Sequence, residues 1–335
     1  MKYIQYAIAK RETGNASGKA KKDAFDIALS MGFRPSYHPS QIQKIRVIQQ
    51  IITLPRFMGK KVIFFQYPAV SDQLMAMFRR ILSKDAVKIA LVHDLTSIQG
   101  VKDQSREVEE ELSYLNIFDC LIIHNKKMEE YVRALGYTGH IVRLELFDYL
   151  HDSAHEISEA PFSNSISFAG NLTKAGFLAD LGLVNNCSFI LYGNIGDRDF
   201  SNINNVSYKG LLPSDEIQYL MEGDYGLVWD GDSIETCSGP NGEYLKYNNP
   251  HKLSLCIAAG KPVITWENAA IADFVNNNHI GITVKSLYDL QKIDLQSNYL
   301  EMRKNVMRIK KEIAEGKYLQ KAIKEALNLE LGVMR

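Results

Sequence analysis

The chain of 335 residues has few cysteines, no long apolar run and no excess of charge of either sign. Its four cysteines stand far apart without C-x-x-C spacing, which argues against a zinc site and against a disulfide framework. No apolar run approaches the ~18 residues of a membrane-spanning helix, and the N-terminus lacks the pattern of a signal peptide.

The charges of the chain cancel, because 39 Lys and Arg balance 39 Asp and Glu. Without a net positive field, nucleic acid is not an expected partner. Together with the missing signal-peptide pattern, this predicts a cytoplasmic protein. A peripheral contact with the inner face of the membrane and a homo-oligomer are both left open.

Short apolar runs alternate with longer amphipathic segments, which is typical of parallel sheets wound with helices. The predicted strands are 2–9, 61–66, 87–92, 120–124, 140–144, 165–169, 187–192, 225–229 and 262–266. The predicted helices are 18–31, 41–53, 71–83, 104–115, 126–135, 174–182, 214–222, 249–259, 270–277 and 286–292. We therefore expect an α/β fold of two Rossmann-like units.

A polar stretch without periodicity over residues 145–164 interrupts this alternation and predicts an interdomain linker. The expected domains are an N-terminal one over residues 1–150 and a C-terminal one over residues 151–298. The remaining segment, 299–335, has helical spacing with a break near Gly316 and is free to pack on either domain.

A glycine-rich loop over residues 13–19 leads from the first strand into the first helix. It does not match the Walker pattern, because its glycines are too close together and no Ser or Thr follows its lysine. Amides near Ser17 and Gly18 suit an anion or a sugar. Capping of the helix by Ser17 is the alternative.

Polar residues follow the predicted strands, at the edge where open parallel sheets bind their ligands. Among them, His93-Asp94 follows a strongly apolar strand, where an imidazole or a carboxylate is placed to act as a general base. The alternative for His93 is a structural role, and the alternative for Asp94 is capping of the following helix. His124-Asn125 stands one strand later, and the helical pattern that follows makes Asn125 a predicted cap.

The segment over residues 242–267 holds the most specific pattern of the chain. A loop that includes Asn249 is followed by a helix predicted to begin near Pro250, a residue favoured at the first helical position. The helix N-terminus offers its dipole and free amides, with His251 and Lys252 beside it. A diphosphate is the ligand that this combination suits.

A second helix is predicted directly after the strand 262–266. Free amides at Ala269 and Ala270 would add hydrogen-bond donors, and Glu267 would accept hydrogen bonds from ribose hydroxyls. Two helix N-termini and a carboxylate at successive strand ends indicate a nucleotide-diphosphate site.

The segment 242–267, above all Lys246–Lys252, resembles bacterial galactofuranosyltransferases. It also resembles the related glucosyltransferase that extends O-linked N-acetylglucosamine on streptococcal serine-rich adhesins. Gln66-Tyr67-Pro68, His93-Asp94 and His124–Met128 in the N-terminal half are similar to the same group. The resemblance therefore covers most of the chain.

The resemblance implies the GT-B fold, with two Rossmann-like domains facing a cleft and the C-terminal helix returning to the N-terminal domain. It implies a UDP-sugar donor held by the C-terminal domain, a glycan or glycoprotein acceptor held by the N-terminal domain, and neither a catalytic metal nor another cofactor. Matching positions imply that Asn171 and Lys174 lie near the donor phosphates, Tyr208 near the uracil and Lys252 on the diphosphate.

We therefore expect an inverting hexosyltransferase of the β-1,6-galactofuranosyltransferase type, acting in polysaccharide biosynthesis, with Asp94 as the base and His93 orienting it. Transfer of glucose, a UDP-sugar 2-epimerase and a non-catalytic sugar-binding protein are the alternatives. Asp230-Gly231-Asp232 is the nearest match to a metal-binding D-x-D motif, and metal binding is the less expected interpretation there.

Overall fold

The computed structural model describes residues 1–6, 16–37, 43–68, 72–82, 84–99, 108–152 and 161–332. These residues belong to two compact units. The first unit contains the first strand, Ala20–Leu146 and the C-terminal segment from Gly316. The second unit contains the start of the first helix through Lys19 and the segment Phe147–Glu315. In the described ranges no helix is both long enough and apolar enough to cross a membrane.

The first unit is built on a six-stranded sheet in which all strands are parallel. Its strands are β1 (Lys2–Gln5), β2 (Arg34–Pro35), β3 (Lys61–Tyr67), β4 (Val87–Val92), β5 (Cys120–Ile123) and β6 (His140–Arg143), and their order in the sheet is β2-β1-β3-β4-β5-β6. Strand β3 buries every residue from Val62 to Tyr67, as expected for a strand covered by helices on both faces.

Helices follow the strands of the first unit, as the alternation predicts. They are α1 (Ala16–Ser30), α2 (Gln43–Thr53), α3 (Asp72–Ile81), α4 (Thr96–Gln99), α5 (Val108–Leu115) and α6 (Lys126–Ala134). The amide of Met128 donates to the Asn125 side chain over 3.0 Å, so the predicted capping of α6 is confirmed.

The second unit has a second six-stranded parallel sheet. Its strands are β7 (Ser165–Ala169), β8 (Ser188–Tyr192), β9 (Val206–Tyr208), β10 (Tyr225–Val228), β11 (Val263–Trp266) and β12 (Gly281–Val284), in the order β12-β11-β10-β7-β8-β9. Its α-helices are α7 (Ile217–Leu220), α8 (Gly239–Tyr244), α9 (His251–Ala258), α10 (Ala272–Asn277) and α11 (Tyr299–Ala314). The predicted pair of Rossmann-like units is therefore confirmed.

The last helix, α12 (Lys317–Leu331), begins after Gly316 and packs on β5 and β6 of the first unit. Gly316 has a positive φ of 73°, a conformation that glycine adopts without strain, so it allows the chain to turn between α11 and α12. The Nδ1 atom of His140 lies 2.7 Å from the Glu330 carboxylate and ties the end of α12 to β6.

Some predicted elements differ from the observed ones. Strands β2, β9 and β12 were not predicted, because β2 and β9 are too short for a periodic pattern and all three lie towards the sheet edges. The segment Gly176–Leu183 forms a 3-10 helix instead of the predicted α-helix. Residues 7–9 of the first predicted strand lie outside the described residues.

The predicted polar linker is partly a buried segment. Phe147, Asp148 and Tyr149 are buried in the second unit, and the Ser254 hydroxyl donates to the Phe147 carbonyl over 2.7 Å. The amide of Tyr149 donates to the Ile313 carbonyl in α11. These residues of the predicted linker are therefore packed into the second unit, and 153–160 lie outside the described ranges.

Candidate active site

A cavity of about 470 Å³ lies in the second unit at the carboxyl ends of β7 and β8. Its wall includes Gly170-Asn171 after β7, Gly193-Asn194 after β8 and His251-Lys252 at the start of α9. Lys19 of α1 and Tyr149 also line it. This is the edge at which an open parallel sheet binds ligands, and the volume is in the range of small-molecule sites.

Two glycines at this cavity leave no room for a larger side chain. Gly193 has a φ of 138°, and a Cβ there would meet the Gly170 carbonyl oxygen at 1.8 Å. A Cβ on Gly170 would in turn meet Cε of Lys252 at 3.0 Å. The loops after β7 and β8 can therefore approach each other closely, and the lysine side chain can pass over them.

Lys252 brings a positive charge to the cavity. Its Nζ atom lies 2.5 Å from Oδ1 of Asp230 and 4.8 Å from the ring centroid of Phe168. Asp230 is the second residue after β10. Only 18% of the lysine side chain is exposed. The Lys252 side chain is thus held in place by one carboxylate and by an aromatic face.

Asp230, the first acid of the D-x-D match, is paired with Lys252. The described residues contain no group of three or more His, Cys, Asp or Glu side chains that could hold a metal ion. The Asp232 carboxylate stands instead beside Gly176 and Gly239, where an added Cβ would meet it. Asp230 therefore forms an ion pair with Lys252, and Asp232 lies against two glycines.

His251 stands at the first position of α9, in front of Lys252. Its ring stacks on Tyr149 with centroids 5.1 Å apart, and it donates a hydrogen bond to the Asp148 carbonyl. Burial, assisted by the nearby Lys19 charge, lowers the pKa of His251 to about 3. The ring is therefore neutral, and its Nε2 atom is buried without a hydrogen-bond partner.

Lys19 is a second lysine at this cavity, and the sequence prediction did not include it. Its side chain is buried, its Nζ atom donates to the Leu150 carbonyl over 2.6 Å, and it lies 4.5 Å from the Tyr149 ring centroid. The only signal in the sequence was its place behind the glycine-rich loop. That loop fails the Walker pattern, so nothing marked the lysine as a cavity residue.

The other residues predicted to bind the sugar donor lie on several loops of the second unit. Asn171 lines the cavity and caps a short 3-10 turn by accepting from the Thr173 amide. Lys174 is exposed on the same turn. Tyr208 is 40% exposed and donates to the Gly193 carbonyl over 2.9 Å, so its ring adjoins the loop after β8.

Three further predictions concern residues on the loops around α9 and after β11. Asn249 is buried directly before α9, and Glu267 is exposed at the end of β11. Neither belongs to the cavity lining. The prediction of free amides at Ala269 and Ala270 is wrong, because Ala269 donates to the Trp266 carbonyl and Ala270 to the Leu245 carbonyl. A turn precedes α10, which begins only at Ala272.

The expected glycine-rich loop is also corrected in part. Helix α1 begins at Ala16, so Ser17 and Gly18 belong to its first turn instead of to a loop. The structure groups this turn, through Lys19, with the second unit. Residues 13–15 of the loop and the Ser17 side chain lie outside what the structure describes.

In the first unit, His93 and Asp94 follow β4 as predicted. His93 is buried, and its Nε2 atom lies 2.7 Å from Oε1 of Gln66. Since the Gln66 amide nitrogen donates to the Lys21 carbonyl, Oε1 faces the histidine and accepts a hydrogen bond from it. His93 is thereby held as a hydrogen-bond donor, whereas Asp94 next to it is half-buried.

Glu111 of α5 fixes the loop that follows Asp94, and sequence reasoning missed it. The carboxylate is fully buried and accepts from the Tyr67 hydroxyl at 3.1 Å, the Thr96 amide at 3.0 Å and the Ser97 amide at 2.8 Å. A buried charge needs such partners. In the sequence Glu111 looks like one more acid of a charged helix, so only the fold reveals it.

The chain matches the N-terminal domain of the Glucosyltransferase 3-like family over residues 1–146 and its C-terminal domain over residues 166–326. It is 32% identical to beta-1,6-galactofuranosyltransferase WbbI of Escherichia coli (strain K12), over 94% of this chain and 95% of that protein. It is 24% identical to Glucosyltransferase 3 of Streptococcus gordonii, over 92% of this chain and 93% of that protein.

The fold has close parallels among solved structures. One is WaaG, a glycosyltransferase involved in lipopolysaccharide biosynthesis, with a TM-score of 0.53 and 12% identity over 98% of this chain and all of that one. The predicted GT-B fold is therefore confirmed.

The His251 ring provides a direct test of the cavity. We expect its imidazole to stay neutral from pH 8 down to pH 5, because the buried ring has a pKa of about 3. Ring nitrogen shifts in an NMR titration measure this, and His251→Asn identifies the resonance. Since this pKa lies below that of an unfolded histidine, the ring contributes stability above about pH 6.5 that is lost on acidification. Titration of His251 near 6.5 would contradict the described packing.

Proposed function

The chain belongs to the Glucosyltransferase 3-like family of glycosyltransferases, and on that premise we propose that it moves galactofuranose from UDP to a hydroxyl group of a glycan or glycoprotein. The proposed reaction inverts the anomeric carbon and needs neither a metal nor another cofactor. The observation that carries the proposal is Lys252, which is paired with Asp230 at the second-unit cavity.

The cavity supports the binding of a nucleoside diphosphate. The first amides of α9 have no carbonyl partner within the helix, and the helix dipole favours an anion there. A diphosphate carries more negative charge than the Asp230 carboxylate, so it competes successfully for the Lys252 ammonium. Asn171 and Tyr208 belong to the loops after β7 and β8 and are proposed to contact the nucleotide, with Lys174 nearer the solvent.

His251 has a different role from Lys252 in this proposal. A neutral ring adds no charge to the diphosphate site, and its Nε2 atom can only accept a hydrogen bond, because the other ring nitrogen already donates to Asp148. We assign it to packing against Tyr149 and to a hydroxyl of the donor. Asn249 and Glu267 stay predictions as ligands of the donor, because they lie outside the cavity lining.

The choice of sugar follows the relatives. The identity of 32% to a galactofuranosyltransferase exceeds the identity of 24% to a glucosyltransferase. Galactofuranose is therefore the proposed donor sugar. Glucose is the second candidate, since the family domains themselves carry the glucosyltransferase name.

The proposed base is Asp94. The acceptor hydroxyl oxygen attacks the anomeric carbon, the bond from that carbon to the β-phosphate oxygen breaks, and UDP leaves with the electron pair. The hydroxyl proton passes to the Asp94 carboxylate, while Lys252 and the amides of α9 stabilise the charge on UDP. His93, which donates to Gln66, supports the loop and orients Asp94.

Donor profiling tests the proposed activity. The chain is incubated in EDTA with UDP-galactofuranose, UDP-galactopyranose, UDP-glucose or UDP-N-acetylglucosamine, with and without a panel of glycoside acceptors. We expect UDP release that depends on an acceptor and is fastest with UDP-galactofuranose. Fastest release with UDP-glucose would favour the second candidate. A new UDP-sugar formed without acceptor, or activity that returns only with Mn²⁺, would contradict the proposal.

Lys252→Ala tests the diphosphate site. Loss of a charge-assisted hydrogen bond of roughly 1.5–3 kcal/mol should weaken UDP binding about 10- to 100-fold and nearly abolish transfer. Isothermal titration calorimetry measures the affinity. Lys246→Ala is the control, because this exposed lysine pairs with Glu243 instead of lining the cavity. UDP affinity of Lys252→Ala within about twofold of the wild type would contradict the placement.

Asp94→Asn tests the base. We expect turnover to fall by roughly 10²–10⁴-fold, the range of general-base catalysis, with the melting temperature and the UDP affinity retained. Asp26→Asn, which changes an exposed carboxylate of the same unit that pairs with Lys22, should keep full turnover. A lower melting temperature with near-normal turnover would instead show that Asp94 is structural.

A further inference from the structure

Helix α2 of the first unit turns a row of isoleucines to the solvent. Ile45, Ile48, Ile51 and Ile52 are between 44% and 70% exposed, and together they form what we call the isoleucine face. At 3.6 residues per turn they lie within about a third of the helix circumference. A helix of a globular unit normally buries its apolar stripe, and a contiguous exposed one marks an interaction site.

The core of the first unit fixes α2 in this orientation. Thr53 at its end is buried, and the 3-10 turn that follows places Phe57 fully inside the core. The Phe57 ring lies 5.3 Å from that of Phe78 and 5.9 Å from that of Phe65. Met58, which comes next, is 55% exposed and extends the apolar surface. The outward direction of the isoleucine face is therefore set by packing at the helix end.

The stretch of sequence that contains the isoleucine face carries basic residues and no acidic ones. Residues 27–71 contain no Asp and no Glu, although the whole chain has as many acidic as basic residues. The six basic residues of this stretch are Arg34, Lys44, Arg46, Arg56, Lys60 and Lys61. The Arg56 guanidinium donates to the Ser36 carbonyl, and the Lys61 ammonium donates to the Arg56 carbonyl, so backbone oxygens and not carboxylates receive these hydrogen bonds.

We propose that the isoleucine face, together with basic residues of the same stretch such as the exposed Lys44 and Lys60, docks on an anionic lipid surface. An amphipathic helix binds such a surface by burying its apolar side chains at the boundary of the headgroups, while lysines and arginines attract the lipid phosphates. A symmetric contact between two copies through α2 would instead bring like charges together, because each copy presents the same patch. This proposal does not depend on the donor or the acceptor of the reaction.

Vesicle flotation of the full chain tests the proposal. We expect the chain to float with vesicles of phosphatidylcholine mixed with phosphatidylglycerol, not with phosphatidylcholine alone, and to detach at high salt. Ile48→Ser combined with Ile52→Ser should weaken binding about tenfold or more, since two exposed apolar side chains lose their burial in lipid. Lys44→Gln combined with Lys60→Gln should weaken it about fivefold per lysine at low salt.

The matched control is Leu183→Ser combined with Leu300→Ser, which removes two exposed leucines from the second unit and should leave vesicle binding unchanged. The far-UV circular dichroism spectrum and the melting temperature of the isoleucine variant report its folding and should equal those of the wild type. Absence of the wild type from the anionic vesicles would overturn the proposal. Equal vesicle binding by the isoleucine variant and the wild type would also overturn it. So would a wild-type dimer that the isoleucine variant does not form, if neither protein binds vesicles.

Discussion

Parallel pairing of every strand is the constraint on which the candidate chemistry depends, because it collects the loops after the strands at one edge of each sheet. In the second unit this edge forms the cavity between the loops after β7 and β8 and the start of α9. In the first unit it carries His93 and Asp94, whose loop is fixed by hydrogen bonds to the buried Glu111. Residues far apart in the chain thus become neighbours through sheet topology alone.

Within the second unit, the cavity places an ion-paired lysine next to a neutral histidine. Lys252 forms an ion pair with Asp230 over 2.5 Å, whereas burial keeps the neighbouring His251 neutral. An anion therefore has one strong attachment point at this helix start, and the imidazole beside it can accept a hydrogen bond from a hydroxyl or an amide. Such a division suits a ligand with a diphosphate at one end and a sugar at the other.

Much of the fold and the centre of the site could be predicted from the sequence. The long apolar strands, the Asn125 cap and the helix start at His251-Lys252 depend on local patterns, and the structure has them as predicted. Whether the amides of Ala269 and Ala270 are free could not be predicted, because one of their acceptors is the carbonyl of Leu245, which lies in a separate segment of the chain. Lys19 and Glu111 are buried charges, and only tertiary packing reveals them.

In the proposed reaction Lys252 exchanges its partner, from the Asp230 carboxylate to the donor diphosphate. A crystal structure of the UDP complex tests this most directly. We expect the diphosphate in the second-unit cavity, with a phosphate oxygen at about 3 Å from Nζ of Lys252. A complex in which Lys252 keeps Asp230 as its only anionic partner and UDP lies outside this cavity would contradict it.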